Sequence, residues 1–130
     1  MAKAKLLAFL LCDNATRDRD GKVTLQGIFD QITRPRSPRE VKVFFVYYRV
    51  LAEEPCSVSL RVLDPAGQEV PKGSRRDSLP NPGPMHTVWS LSSGSFERPG
   101  NYLLELRQED NDSEPHKLAE MSLVVRESEG

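Results

Sequence analysis

Cysteine and histidine are scarce in this chain of 130 residues, which contains two of each. Two cysteines are too few for the disulfide framework of small secreted proteins, and Cys12 and Cys56 form no CxxC pair. A zinc site would need both cysteines, His86 and His116 to converge from distant segments. We therefore expect reduced thiols, no bound metal and no other cofactor, with a single Cys12–Cys56 disulfide as the alternative.

A charge excess of either sign is also missing. The chain has 18 basic and 19 acidic residues and a formal net charge of -1, so no global field attracts nucleic acid or an anionic membrane. The apolar run Leu6–Leu11 is shorter than the roughly 7–15 residues of a secretory signal core and far below the ~18 of a membrane span. We read this run as part of a first β-strand and expect a cytoplasmic protein without nucleic-acid or membrane partners.

What the sequence does contain is a series of short apolar runs separated by turn residues, without a long helical stripe. In Cys56–Asp64 the alternation is regular, with Val58, Leu60 and Val62 predicted to face inward. In Lys22–Ile32 we place Val23, Leu25, Gly27 and Phe29 on one face. The other predicted strands lie in Lys5–Cys12, Val41–Val50, Met85–Phe96, Tyr102–Glu109 and Lys117–Glu127.

Turn signals between these runs recur at the spacing typical of an antiparallel sandwich. We therefore predict an all-β, immunoglobulin-like fold of seven or eight strands, forming one domain over 1–130 that is ordered from about 4 to 127 and frays at the tail. The polar, proline-broken stretch Glu69–Pro84 is predicted to be the longest loop, and Gly94 a bulge.

The stretch "TRDRDG" imitates the start of a calcium loop, with Gly21 at the sixth position. The twelfth position would then be Gly27, which has no side chain to supply the bidentate carboxylate that such a loop requires. "DRDGK" between two apolar runs is better interpreted as a hairpin turn, because Asp20 and Gly21 tolerate positive φ. A weak calcium site at Asp18 and Asp20 is the alternative.

The stretch "AFLLCDNATRDRDGKVTLQGIFDQI" is similar to the start of a family of uncharacterised bacterial proteins, small domains of unknown function. The pattern is a strand ending in "CD", then "DGK", then a strand ending in "GIFD", and "FERPGNYLLELRQED" resembles the family's closing half. The resemblance implies a single β-sandwich domain in a bacterial cytoplasm. It implies no activity, because none is assigned to the family.

Motifs of catalysis are lacking. A G-x-S-x-G elbow and a glycine-rich phosphate loop are absent from the sequence. Paired acids such as Glu53–Glu54 stand in turn-like segments without the apolar neighbours that raise a carboxyl pKa. We therefore expect that the protein is not an enzyme.

The candidate binding residues are aromatic and basic. "VFFVYY" is apolar on both faces, so its outer side must be covered either by the Glu69–Pro84 loop or by a partner that uses Phe45, Tyr47 and Tyr48 as anchors. Which of these face outward is left open, because a one-residue shift in register exchanges the faces. Arg75 and Arg76 form a basic cluster that could grip anionic groups.

These features favour a non-catalytic protein-interaction or assembly module, with a protein partner or self-association, a homodimer included. The alternative is a β-sandwich that binds a small ligand or glycan through Trp89 and the 69–84 loop. Trp89 would stack on a sugar ring in that case, whereas a tryptophan in mid-strand is more often a core residue.

Overall fold

The computed structural model describes residues 3–110 and 113–127, and this part of the chain is built from β-strands and three 3₁₀ turns. The strands are β1 (Ala4–Arg17), β2 (Val23–Phe29), β3 (Gln31–Thr33), β4 (Val43–Ala52), β5 (Cys56–Leu63), β6 (Arg75–Leu79), β7 (Gly83–Ser92), β8 (Gly100–Asp110) and β9 (Ser113–Arg126). The 3₁₀ turns are Pro38–Glu40, Pro71–Gly73 and Ser93–Ser95. The all-β prediction is confirmed, with nine strands in place of seven or eight. The predicted frayed tail, 128–130, lies outside the described residues.

The strands form two sheets. A four-stranded sheet has the order β2-β1-β4-β7, and a five-stranded sheet has the order β3-β9-β8-β5-β6. Every neighbouring pair is antiparallel except β3 and β9, which run parallel. No helix in the described part is long and apolar enough to cross a membrane.

The core lies between the two sheets and follows from period-two alternation. In β5 the predicted inward residues Val58, Leu60 and Val62 are buried, as expected. In β4 the even-numbered residues from Phe44 to Ala52 are buried in the same core. Removing side chains of this size from water stabilises the fold by roughly 1.5–3 kcal/mol each, so this alternation sets which face of each strand turns inward.

Two strands were not anticipated. The predicted strand Lys22–Ile32 is divided at Asp30, so that β2 belongs to one sheet and β3 to the other. The Asp30 carbonyl accepts a hydrogen bond from the Val124 amide of β9, which fixes the chain where it changes sheets. The predicted long loop 69–84 is also wrong in part, because it contains β6, an edge strand paired with β5.

Gly94 corrects a smaller prediction. It lies in the 3₁₀ turn Ser93–Ser95 rather than in a strand bulge. The Ser92 hydroxyl accepts a hydrogen bond from the Gly94 amide at 3.2 Å. A local side-chain bond of this type gives the backbone an alternative to the β-ladder, so the strand ends at Ser92.

The acidic stretch is a hairpin turn, as interpreted from the sequence. Asp18 Oδ1 accepts hydrogen bonds from the amides of Asp20 and Lys22, both at 2.9 Å, and Gly21 has a φ of 82°. The carboxylate therefore stabilises the turn itself. Among the residues that the structure describes, no group of three or more histidines, cysteines or acids is placed to hold a metal ion.

One polar contact joins the two sheets through the core. The Tyr48 hydroxyl on β4 donates to Asp77 Oδ2 on β6 at 2.6 Å. The Trp89 ring packs against Tyr48 with centroids 4.7 Å apart. Burial, with the Asp77 hydrogen bond as a lesser cause, raises the pKa of the Tyr48 hydroxyl, which therefore stays protonated and remains a donor.

Replacing Tyr48 with phenylalanine should remove this contact and leave the Asp77 carboxylate without its donor. We expect Tyr48→Phe to lower the free energy of unfolding by about 1–3 kcal/mol, the usual cost of losing a hydrogen bond to a charged group. Urea unfolding followed by Trp89 fluorescence measures it. The control is Tyr47→Phe on the half-buried outer face, which should cost less; equal losses would contradict the cross-sheet role of Tyr48.

Candidate interaction surface

The predicted aromatic anchors do not share a face. Phe45 and Tyr47 are half-buried on the outer face of the four-stranded sheet, opposite to the core. Tyr48 has no exposed surface and lies in the core, so it cannot contact a partner. The sequence could not decide this point, because both faces of β4 are apolar. The register of β4 with β1 and β7 determines which of its residues face the core.

Trp89 is likewise a core residue. It lies on the inner face of β7, opposite Val46, and is 8% exposed. Stacking on a sugar needs an open aromatic face, which this ring does not offer in the structure. The 69–84 segment contains an edge strand of the other sheet, so it is not the single long loop that the sequence predicts.

Arg75 holds the backbone together between the two sheets. Its guanidinium donates to the carbonyls of Lys72 and Ser74, on the segment leading into β6, and to the Ser90 carbonyl on β7 at 2.8 Å. The side chain therefore bridges one edge strand of each sheet. Arg75 therefore has a structural role, which cannot be distinguished from anion binding in the sequence alone.

Arg76 lines a groove of about 470 Å³ on the outer face of the five-stranded sheet. Arg61 and Arg107 also line it, but so do Glu69 and Glu109. Arg76 lies 3.6 Å from Glu109, and Arg61 makes two hydrogen bonds to the nearly buried Glu105, at 3.1 and 2.6 Å. The positive charges are thus largely offset by neighbouring carboxylates, which weakens the predicted basic cluster as an anion site.

The outer face of the four-stranded sheet is covered in part by the β1–β2 hairpin. Ala8 on β1 and His86 on β7 are both opposite Arg49, so they lie at one level of the sheet. A straight β1 would carry Arg17 about 30 Å beyond that level. Instead Arg17 donates to the His86 carbonyl at 3.1 Å. The hairpin therefore bends back across the sheet and provides a cover other than the two expected from the sequence, the Glu69–Pro84 loop and a partner.

His86 anchors the tip of this hairpin. Its Nε2 lies 3.1 Å from the Gly21 carbonyl oxygen, and its Nδ1 lies 3.3 Å from the Tyr47 hydroxyl. A ring with hydrogen on Nε2 donates to the carbonyl and accepts from Tyr47. The sequence around His86 carries no motif that indicates this contact. Only the folded position of the hairpin shows its role.

The bend begins where β1 leaves β4. Pairing of β1 with β4 ends at the Cys12–Phe45 pair. On β2, Gly27 lies just beyond this level, between Ile28 and Gln26, and has a φ of 70°. A Cβ at this position would also clash with the Asp13 carboxylate. Glycine is therefore required twice over at the bend.

Cys12 lies under the bend. Although it is on the outer face, between Phe45 and Ile28, it has no exposed surface. Burial raises the pKa of its thiol, which keeps it protonated and poorly nucleophilic. Cys12 and Cys56 form no disulfide, in agreement with the expectation of reduced thiols.

Beside the bend, large apolar side chains remain exposed. Ile28 is 62% exposed and Val43 is 57% exposed, on the same outer face as the half-buried Phe45. Phe45 on β4, Cys12 on β1 and Ile28 on β2 are directly opposite one another across the sheet. Val43 is two residues before Phe45 on β4 and therefore points to the same face. We call Ile28, Val43 and Phe45 the outer apolar patch.

Comparison with known proteins supports the fold. A family model described as a family of unknown function, DUF6941, matches residues 7–125. A comparison with the curated proteins found no match. The solved C-terminal domain of wzt is similar at a TM-score of 0.54 and 12% identity, over 100% of this chain and 76% of that chain. An immunoglobulin-like protein from Pseudomonas aeruginosa gives a TM-score of 0.44 and 15% identity over 96% and 98%. At these identities the likeness concerns the fold alone.

Replacing His86 with alanine should free the hairpin tip. We expect backbone amides of the hairpin, 13–25, to exchange with deuterium several-fold faster, because two contacts of the ring are lost while the sandwich core is untouched. Hydrogen exchange with mass spectrometry measures this. His116→Ala, at an exposed position of β9, is the matched control. Unchanged exchange in His86→Ala would show that the ring does not hold the hairpin.

Replacing Gly27 with alanine should disturb the bend. We expect a loss of about 2 kcal/mol or more in the free energy of unfolding, because strain from positive φ is added to a clash with Asp13. Gly21→Ala is the control, since its φ is also positive but the space around it is open. It should cost only about 1 kcal/mol. Equal losses on denaturant unfolding would contradict a special requirement at Gly27.

Proposed function

The chain belongs to this family of unknown function, and we propose that it acts as a non-catalytic protein-interaction module that self-associates through the outer apolar patch. The proposal places it in a bacterial cytoplasm, as the resemblance of its N-terminal stretch, residues 8–32, implies. The observation that carries the proposal is the exposure of Ile28 and Val43 beside Phe45 on one sheet face.

The chemistry around the patch supports association. The side chains that continue the same face along the hairpin are uncharged: Asn14, Thr16, Thr24 and Gln26. Depletion of charge and presence of an aromatic anchor are the compositional signs of an interface centre. An exposed isoleucine or valine also gains free energy on leaving water, in proportion to the area covered.

A second copy of the chain is the partner that this surface favours. Two identical charged surfaces repel each other, whereas two copies of an uncharged apolar surface can meet without that cost. A closed dimer with a two-fold axis also uses one surface twice, as most soluble homo-oligomers do.

Placing a charge in the patch tests the proposal. We expect Val43→Asp to weaken self-association at least tenfold, because each copy would bury an unpaired carboxylate. Sedimentation velocity over a range of protein concentrations measures the dissociation constant. Leu7→Asp is the control, since Leu7 is 47% exposed on β1 but lies near the Leu6/Ala8 irregularity, away from the patch. A wild-type chain that stays monomeric at millimolar concentration would refute self-association.

A further inference from the structure

The mode of association follows from the free edges of the two sheets, and this inference rests on the proposed function. In the described sheets the edge strands are β2, β3, β6 and β7. An edge strand invites pairing with another chain unless it is short, charged, broken by proline or otherwise blocked. The four edges differ in these protections.

Three edges are protected. β3 has three residues, and β6 has five, of which Arg75, Arg76 and Asp77 are charged. β7 is longer, but the Arg17 side chain occupies its His86 carbonyl and the Arg75 side chain occupies its Ser90 carbonyl. These two arginines reach β7 from different elements and block two positions along one strand.

β2 lacks most of these protections. Its seven residues, "VTLQGIF", include no charge and no proline, and Ile28 of the outer apolar patch belongs to it. Its one irregular feature is the bend at Gly27. An uncharged strand of this length, which adjoins an exposed apolar patch, has the chemistry of a strand-addition site.

The residues that flank β2 make it complementary to itself. Lys22 precedes the strand and Asp30 follows it, and both are exposed. If two copies pair antiparallel about Gln26, Lys22 of each copy is opposite Asp30 of the other. The same register sets Thr24 against Ile28 and sets Leu25 against Gly27, where no side chain opposes it. The bend thus provides room for Leu25.

We propose that two copies of the chain associate by antiparallel pairing of their β2 edges about Gln26, with reciprocal Lys22–Asp30 ion pairs. Each β2 is then paired on both sides, with β1 of its own copy and with β2 of the other copy. Ile28 of each copy lies beside the two-fold axis, two residues from Gln26. The ion pairs set the register, because a shift along the strands separates the charges.

Charge exchange at the two flanking positions tests this register. Lys22→Asp alone places acids opposite each other, and Asp30→Lys alone places lysines opposite each other. We expect either single change to weaken the dimer about tenfold at low salt, because two ion pairs per dimer become like-charge pairs. The double variant should restore the affinity, because it re-forms both ion pairs with the charges exchanged. Sedimentation velocity gives the dissociation constants, with Lys5→Asp on β1 as the control.

A cysteine at the two-fold axis gives an independent readout. In Gln26→Cys the two thiols would be opposite each other, at the separation of directly paired strand residues, and should form an intermolecular disulfide under mild oxidation. In Thr24→Cys the thiol is opposite Ile28 of the other copy and should form no intermolecular disulfide. Non-reducing electrophoresis distinguishes them.

The two proposals fail in different ways. If the chain dimerises and Val43→Asp weakens it, but the charge exchange shows no rescue and Gln26→Cys does not crosslink, the β2 register is wrong and the proposed function stands. If no variant or concentration yields a dimer, both are wrong.

Discussion

The structure depends on covering both faces of β4. Its even-numbered residues pack against the five-stranded sheet, and Phe45 and Tyr47 on the other face also need shielding from water. A two-layer sandwich buries only the first of these faces. The β1–β2 hairpin shields much of the second by bending at Gly27 and anchoring its tip on His86. The buried Cys12, the half-buried Tyr47 and the position of the exposed patch all follow from that bend.

Period-two patterns in the sequence were enough to predict most of the strands and the inward residues of β5, and the Asp20-Gly21 pair indicated the Asp18–Lys22 turn. Contacts between residues distant in the sequence could not be predicted from these patterns. The division of one apolar run at Asp30 depends on a hydrogen bond to Val124, and β6 is a polar edge strand without an apolar pattern. Tyr48 and Trp89 have the composition of interface anchors, yet register turns both inward.

The sequence was enough to predict an exposed apolar surface, but not which residues form it. An excess of apolar residues over what a sandwich can bury indicated an exposed face, but the sequence left open which of Phe45, Tyr47 and Tyr48 lie on it. Ile28 and Val43 carried no signal of their own, because isolated aliphatic residues in strands are usually buried. The arginines were misleading for a related reason. Their charge is visible in the sequence, whereas the carbonyls and carboxylates that engage Arg75 and Arg76 are brought to them by the fold.

We infer that the β2 edge is open to a second copy while the edges at β3, β6 and β7 are blocked. Hydrogen exchange at the β2 amides, Val23–Phe29, measured at increasing protein concentration, is the most direct test. We expect these amides to exchange more slowly as the concentration rises, while the amides of β7 do not change. Exchange in β2 that is independent of concentration, or protection that develops at β7 instead, would contradict it.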